Sequence, residues 1–312
     1  MQKTIAVIGA GLIGRAWTMV FARAGWRVRL SDRVASQLDA ATAFIAASLD
    51  EQARFGLVAD PADALALIDC VPELEAALAG VDWVQENLPE NEAIKREVFE
   101  LLDAHAPADA VLASSTSAIP ASRFTEALAG RARCLVAHPV NPPHLVPIVE
   151  LCGAPWTAPA TIERALAIYA QVGQVPIVVR RELDGFILNR LQGALLSEAM
   201  RLVGEGFVSA DDLDKTIRDG LGLRWAFLGP FATIELNAPG GVVDYCARYN
   251  DFYRRLASDP PQPAVWEGAN AARVGAALGP PRPPAELDAR TRWRDRRLMA
   301  LIEHKREQPQ FK

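Results

Sequence analysis

Gly9, Gly11 and Gly14 form a G-x-G-x-x-G run directly after the apolar stretch Ile5-Ala-Val-Ile8 and before a helical pattern that starts at Leu12. In that context each glycine has a task. Gly9 permits a tight turn, Gly11 lets the backbone approach a pyrophosphate, and Gly14 lets the helix lie close to the sheet. The free N–H groups at Leu12 and Ile13 and the positive end of the helix dipole then face the phosphates. Asp32 ends the next strand, Arg27-Val-Arg-Leu30, roughly 20 residues further on. A carboxylate there accepts hydrogen bonds from ribose hydroxyls and repels a 2′-phosphate, which favours NAD over NADP. Arg33, next to it, argues the other way, because Arg can receive that phosphate. A doubly wound domain that binds another nucleotide, or none, is the blander alternative.

A second set of polar residues follows or interrupts apolar segments. Ser114-Ser-Thr-Ser117 comes directly after Ala110-Val-Leu-Ala113, and ligands bind beyond the carboxyl ends of such strands. Ser117 or Thr116 capping the helix after Pro120 explains the hydroxyl run as well. His138 follows Cys134-Leu-Val-Ala137 and precedes Pro139-Val-Asn-Pro-Pro143. A lone histidine is more often a structural hydrogen bonder than a base. Glu150 lies inside Ile148-Val-Glu-Leu151, where an unpartnered carboxylate is costly. It needs a partner, and a histidine is a natural one. Asn189 interrupts the helix start Phe186-Ile-Leu-Asn-Arg-Leu191, although asparagine is a poor interior helix former. No cluster has metal-ligand spacing, and no metal is expected. Cys70, Cys134, Cys152 and Cys246 form no C-x-x-C pair, and three of them read as small buried hydrophobes.

Those residues need a scaffold. Short apolar runs at 5–8, 27–30, 82–86, 110–113, 134–137, 147–151 and 175–179 alternate with helical patterns such as 34–55 and 90–104. Strands alternating with helices predict a mainly parallel sheet covered on both faces. From Gly185 onward there is no convincing strand. Leu188, Leu191, Leu195, Ala199 and Leu202 recur at helical spacing. Ser209 is placed to cap a further helix, and a last helix spans about 285–305. The expected fold is α/β: a Rossmann-type doubly wound sheet over 1–183, followed by an all-α domain over 184–312.

The chain of 312 residues carries 33 Lys and Arg against 38 Asp and Glu, a net charge of −5. An acidic balance gives no positive field for nucleic acid. No apolar run approaches the roughly 18 residues of a membrane span. The opening Met-Gln-Lys-Thr and the apolar residues after it superficially imitate a secretion signal, but the glycine spacing explains them better. Scattered cysteines fit a reducing cytoplasm. The Arg-rich run 288–297 reads as a solvated helix face.

The motifs together resemble the 3-hydroxyacyl-CoA dehydrogenase superfamily, and within it the lambda-crystallin/L-gulonate 3-dehydrogenase branch. The matching stretches are Gly9–Trp17, Glu86-Asn-Leu-Pro-Glu-Asn91, Ser114–Ser117, Val136–Pro143, Asp184–Gln192, Asp219–Pro230 and Trp293-Arg-Asp295. The resemblance implies that His138 is the general acid/base and Glu150 the carboxylate that orients it. It implies that Ser117 and Asn189 hold the reacting oxygen, and that Glu90 and Lys95 contact NAD. It also implies a homodimer formed through the helical part. An abundant, non-catalytic crystallin-like role would not require Ser117, His138, Glu150 and Asn189 together.

Two features bear on the substrate. Residues 55–94 hold nine carboxylates and no Lys or Arg, a poor docking surface for the phosphates of CoA. Arg224 and Trp225 lie in an expected loop before Gly229-Pro230, and a guanidinium suits bidentate capture of a carboxylate. An ordinary surface Arg is the alternative. The expectation is NAD-dependent oxidation of a small free 3-hydroxy acid, L-gulonate-like. A short-chain 3-hydroxyacyl-CoA dehydrogenase and a carnitine dehydrogenase-like enzyme are the alternatives. The latter is less apt because it tends to have Asp where this chain has Asn189.

Overall fold

The computed structural model describes residues 2–308. Eight strands form one sheet: β1 (Thr4–Ile8), β2 (Arg27–Ser31), β3 (Ile68–Cys70), β4 (Trp83–Glu86), β5 (Val111–Ser114), β6 (Cys134–Pro139), β7 (Ile148–Gly153) and β8 (Val175–Val179). Their order is β3-β2-β1-β4-β5-β6-β7-β8. All neighbours are parallel except β6 and β7. The strand order reverses between β1 and β4, which opens a crevice at their carboxyl ends.

Alternation along the strands builds two cores. Ile5 and Val7 face one layer with Trp17 and Phe21 of the helix Leu12–Arg23. Ala6 and Ile8 face the other, with Val98, Phe99 and Leu102 of the helix Glu92–His105. Both faces are buried, so the strands read as continuous apolar runs. The three-residue β3 was not anticipated. It is an edge strand, and Cys70 is exposed there; with Cys246 also exposed, two cysteines are buried where three were expected to be. Cys134 and Cys152 are buried as expected.

Two compact units result. One comprises the chain up to Asn189 together with the segment from Ala285, and the other is Arg190–Pro284. The division therefore falls inside the helix Leu188–Gly204. The last helix, Pro284–Glu307, belongs with the sheet and not with the helices that precede it. The reason is apolar: Met299 is buried in a cluster with Leu57 and Leu145, and Arg296 pairs with Glu51.

The second unit is entirely helical. Ser209 caps the helix Ala210–Lys215, its hydroxyl accepting the Asp212 N–H at 3.1 Å. A π-helical turn, Thr216–Leu221, follows and runs into the helix Gly222–Trp225. Arg224 and Trp225 thus sit on a helix, where a loop was expected. Gly222 is required by that turn, because a Cβ there would lie 2.9 Å from the Ile217 carbonyl oxygen. Residues of this unit that are buried include Thr233, Ala238, Val265 and Val274, whereas Leu191, Phe207, Phe231, Leu236 and Val243 are exposed.

Candidate active site

The glycine turn has the geometry its spacing predicted. Gly9 has φ +92°, and a Cβ there would lie 3.1 Å from the Asn87 carbonyl oxygen. A Cβ on Gly14 would lie 1.8 Å from the Gly9 carbonyl oxygen, so no other residue fits. A Cβ on Gly11 would meet nothing within 4 Å. The space over Gly11 is left open by the protein, where a ligand backbone approach is expected. Beside it lies a cavity of about 520 Å³ walled by Ile8, Val34, Leu74, Leu88 and Val98, with Asp32 on its rim. Arg33 and Glu97 also line it, and mainly apolar walls with a few polar side chains suit an adenosine. Turn, open helix start and cavity together fit NAD.

Asp32 has a second task that the sequence did not reveal. Its carboxylate accepts the Ala10 N–H at 2.8 Å and the Val34 N–H at 2.9 Å. It ties the glycine turn to the end of β2 as well as facing the cavity.

Lys95 and Glu90, expected to contact the cofactor, each make contacts within the protein. Lys95 is 1% exposed, and its ammonium is committed to both Glu86 oxygens, each at 3.0 Å. Glu86 also accepts the Leu88 N–H at 2.6 Å and the Ser114 hydroxyl. This pair is an interior strut joining the end of β4 to the helix Glu92–His105, and Ser114 ties the end of β5 to the same carboxylate. Three of the nine carboxylates over 55–94 are paired with Lys or Arg: Glu86 with Lys95, Asp69 with Arg27 and Glu92 with Arg96. Glu90 points at the serine loop. It accepts the Thr116 hydroxyl, the Ser117 N–H at 3.2 Å, and the Ala118 N–H at 3.0 Å. Burial alone would raise this carboxyl, but those donors and the Lys95 charge hold it below the usual carboxylate range. Neither Ser117 nor Thr116 caps a helix here. The Thr116 hydroxyl instead accepts the Ile119 N–H at 2.9 Å within the loop.

A buried polar chain supports the same loop. Ser115 Oγ accepts from Trp17 Nε1 at 3.0 Å and Gln85 Nε2 at 2.8 Å, and donates to Asn87 Oδ1 at 2.7 Å. Asn87 in turn donates to the Ile8 carbonyl at the end of β1. Polar residues inside strand β4 were the available sign of it.

The expected acid/base pair lies on the antiparallel strands. His138 and Glu150 are register partners across β6 and β7. His138 Nδ1 lies 2.8 Å from Glu150 Oε2, with both side chains buried. The other Glu150 oxygen accepts the Ile187 and Leu188 N–H groups at 2.8 and 3.0 Å. Burial alone would raise this carboxyl, but His138 and the two amides outweigh it and hold it low. An ionised Glu150 only accepts, so Nδ1 carries the proton of this contact, and in the neutral imidazole Nε2 is the nitrogen with the free lone pair. Asn189 donates through Nδ2 to the Ser117 carbonyl oxygen at 2.9 Å. His138, Glu150, Ser117 and Asn189 are thereby linked into one neighbourhood through 186–189. His144 is no rival base: burial and the charges of Arg23, Arg15 and Arg294 push it down to about 3.

Comparison with known proteins agrees with this geometry. Residues 4–183 match the NAD binding domain of 3-hydroxyacyl-CoA dehydrogenase, and 185–279 match its C-terminal domain. Lambda-crystallin of Oryctolagus cuniculus is 41% identical over 98% of both chains. An L-carnitine dehydrogenase of Burkholderia mallei is 40% identical over 75% of this chain and 72% of that one. Among solved structures, a 5-formyl-3-hydroxy-2-methylpyridine 4-carboxylic acid 5-dehydrogenase, an NAD+ dependent dismutase, superposes with a TM-score of 0.85. It is 27% identical and covers 99% of this chain and 100% of its own.

Proposed function

The chain belongs to the 3-hydroxyacyl-CoA dehydrogenase family, and from that premise we propose that it oxidises the 3-hydroxyl of a small free 3-hydroxy acid, with L-gulonate the leading candidate. The observation that carries the chemistry is the buried His138–Glu150 pair, whose Nδ1–H contact leaves Nε2 as a base. NAD, when bound, supplies the hydride acceptor. As the C3–H electron pair leaves carbon, His138 Nε2 takes the hydroxyl proton and the C3–O bond becomes a carbonyl. The Glu150 carboxylate stabilises the imidazolium that forms. Ser117 and Asn189 act as donors that hold the reacting oxygen. Gly9, Gly11, Gly14, Leu12, Ile13 and Asp32 hold the cofactor. Glu90 and Lys95 act beneath it, through the serine loop and the strand ends.

Two features support a free acid over a thioester. The segment 55–94 contains no cation to meet CoA phosphates. Arg224, on a helix shaped by a π-turn, is assigned the substrate carboxylate, and Trp225 the apolar contact beside it. π-Turns are frequent at functional sites. L-Carnitine, itself a 3-hydroxy acid, is a second reading, favoured by the 40% identical relative.

The helical unit leaves large apolar side chains exposed, including Phe231 at 74% and Leu236 at 76%. Exposed apolar area on this scale marks an interaction surface. We assign it to a homodimer, and we place the protein in a reducing cytoplasm on the strength of its unpaired cysteines. The deciding experiment measures NADH absorbance with NAD and L-gulonate, L-3-hydroxybutyrate, L-carnitine or 3-hydroxybutyryl-CoA. Turnover of a free acid lost by roughly 10²–10⁴-fold in His138→Asn is expected. Preference for the CoA ester overturns the substrate assignment, and near-normal turnover of the variant removes His138 from the mechanism.

A further inference from the structure

Phe186 is the one non-glycine residue with positive φ among the described residues, at +48°. An aromatic residue in this region is strained, and it persists only where its surroundings over-determine it. Gly185 immediately before it has φ +75°, so the chain uses glycine where conformational freedom alone is needed. At 186 the side chain must therefore matter. The ring is fully buried, packed in the core layer with Val136, Cys152 and Val179. Its centroid lies 5.6 Å from that of the His138 imidazole, the planes tilted by 37°. The next two residues supply the N–H groups that Glu150 Oε1 accepts, and the third is Asn189.

The geometry points to Phe186 as a positioning residue for the base: its buried ring anchors a left-handed turn that aims two amides at Glu150 and walls one side of His138. This rests on the reading of His138 and Glu150 as the acid/base pair. With Glu150 Oε1 held by Ile187 and Leu188, Oε2 is fixed for His138 Nδ1. The turn thus converts core packing into the orientation of a proton-transfer group. An αR conformation at 186 would swing both amides away from the carboxylate.

The prediction reverses the usual ranking of alanine and glycine. Phe186→Ala removes the anchor but keeps the penalty for positive φ, so the turn relaxes. Phe186→Gly removes the anchor and the penalty together, so the turn persists. The full-length protein labelled with ¹⁵N-histidine has only four such residues. The downfield Nδ1–H proton is assigned to His138 by its absence in His138→Asn. It is expected in the unmodified protein and in Phe186→Gly, and lost or strongly shifted in Phe186→Ala. With whichever free acid is turned over, kcat of the glycine variant should exceed that of the alanine variant by roughly tenfold. NAD affinity should match in both. Retention of the proton in both variants, or its loss in both, overturns the proposal and makes Phe186 a core residue only. If Phe186→Ala gives no folded spectrum, Phe186→Gly decides alone: a retained proton supports the anchor-and-turn account, and its loss in a folded protein overturns it. The resonance needs no substrate, so failure of every acid in the panel leaves this result readable.

Discussion

The side-chain amide of Asn189 donates to the backbone carbonyl of Ser117 at 2.9 Å, across 72 residues of chain. The contact ties the start of the helix Leu188–Gly204 to the loop that Glu90 holds from its other side. Asn189→Asp should be worse than Asn189→Ala, because a carboxylate facing a carbonyl oxygen repels it whereas alanine only loses one hydrogen bond, roughly 0.5–1.5 kcal/mol. Steady-state kcat on the preferred acid, with NAD affinity as the control, checks this. Equal losses would show that Asn189 acts only on the substrate.

Glu150 should contribute pH-dependent stability. Its folded pKa is depressed, so its contribution is fully present above the unfolded value, about 4.3, and is lost as pH falls through the lower folded value. The difference in urea midpoint between the unmodified protein and Glu150→Gln should therefore shrink on acidification below about pH 4. A difference that stays constant over that range would show that the carboxylate is not held low.

The Lys95–Glu86 strut should be costly to break from one side. Lys95→Met leaves a buried carboxylate without its cation and should destabilise by about 3–5 kcal/mol. Glu86→Gln added to Lys95→Met should recover part of the loss, because the buried charge is removed and the amide oxygen still accepts the Leu88 N–H while its NH2 can donate to the Ser114 hydroxyl oxygen. Urea denaturation of the two variants decides it. A double variant no more stable than the single one contradicts the ion-pair account.

Asp32→Ala should relax the preference for NAD over NADP and also weaken NAD itself. The second effect follows from the Ala10 and Val34 amides left without their acceptor. At roughly 0.5–1.5 kcal/mol for each bond, kcat/KM for NAD should fall about tenfold or more. Asp32→Asn, which keeps an acceptor, should fall less. Unmodified protein that uses both cofactors equally would refute the selectivity argument.

Arg224→Met should cut kcat/KM for a free 3-hydroxy acid by roughly ten- to 150-fold, the equivalent of a charge-assisted contact of about 1.5–3 kcal/mol. A thioester, with no free carboxylate, should respond little. Equal losses for acid and thioester would make Arg224 structural.

The glycine spacing, Asp32 and the apolar runs of β1, β2 and β4–β8 were legible because they depend on local rules. A tight turn needs positive φ, a helix must approach a strand, and a strand buried on both faces reads as continuously apolar. The need of Glu150 for a partner was also readable, since burial of a carboxylate is costly wherever it occurs. Which nitrogen of His138 meets it was not, because that follows from the antiparallel register of β6 and β7. Only the tertiary structure turned Lys95 inward to Glu86, aimed Glu90 at the Thr116–Ile119 turn, and returned the last helix to the sheet through Met299. Residue type records what a side chain can donate, accept or bury. Which partner it meets depends on chain segments distant in sequence, and there the packing of Phe186 against His138 outweighed its intrinsic backbone preference.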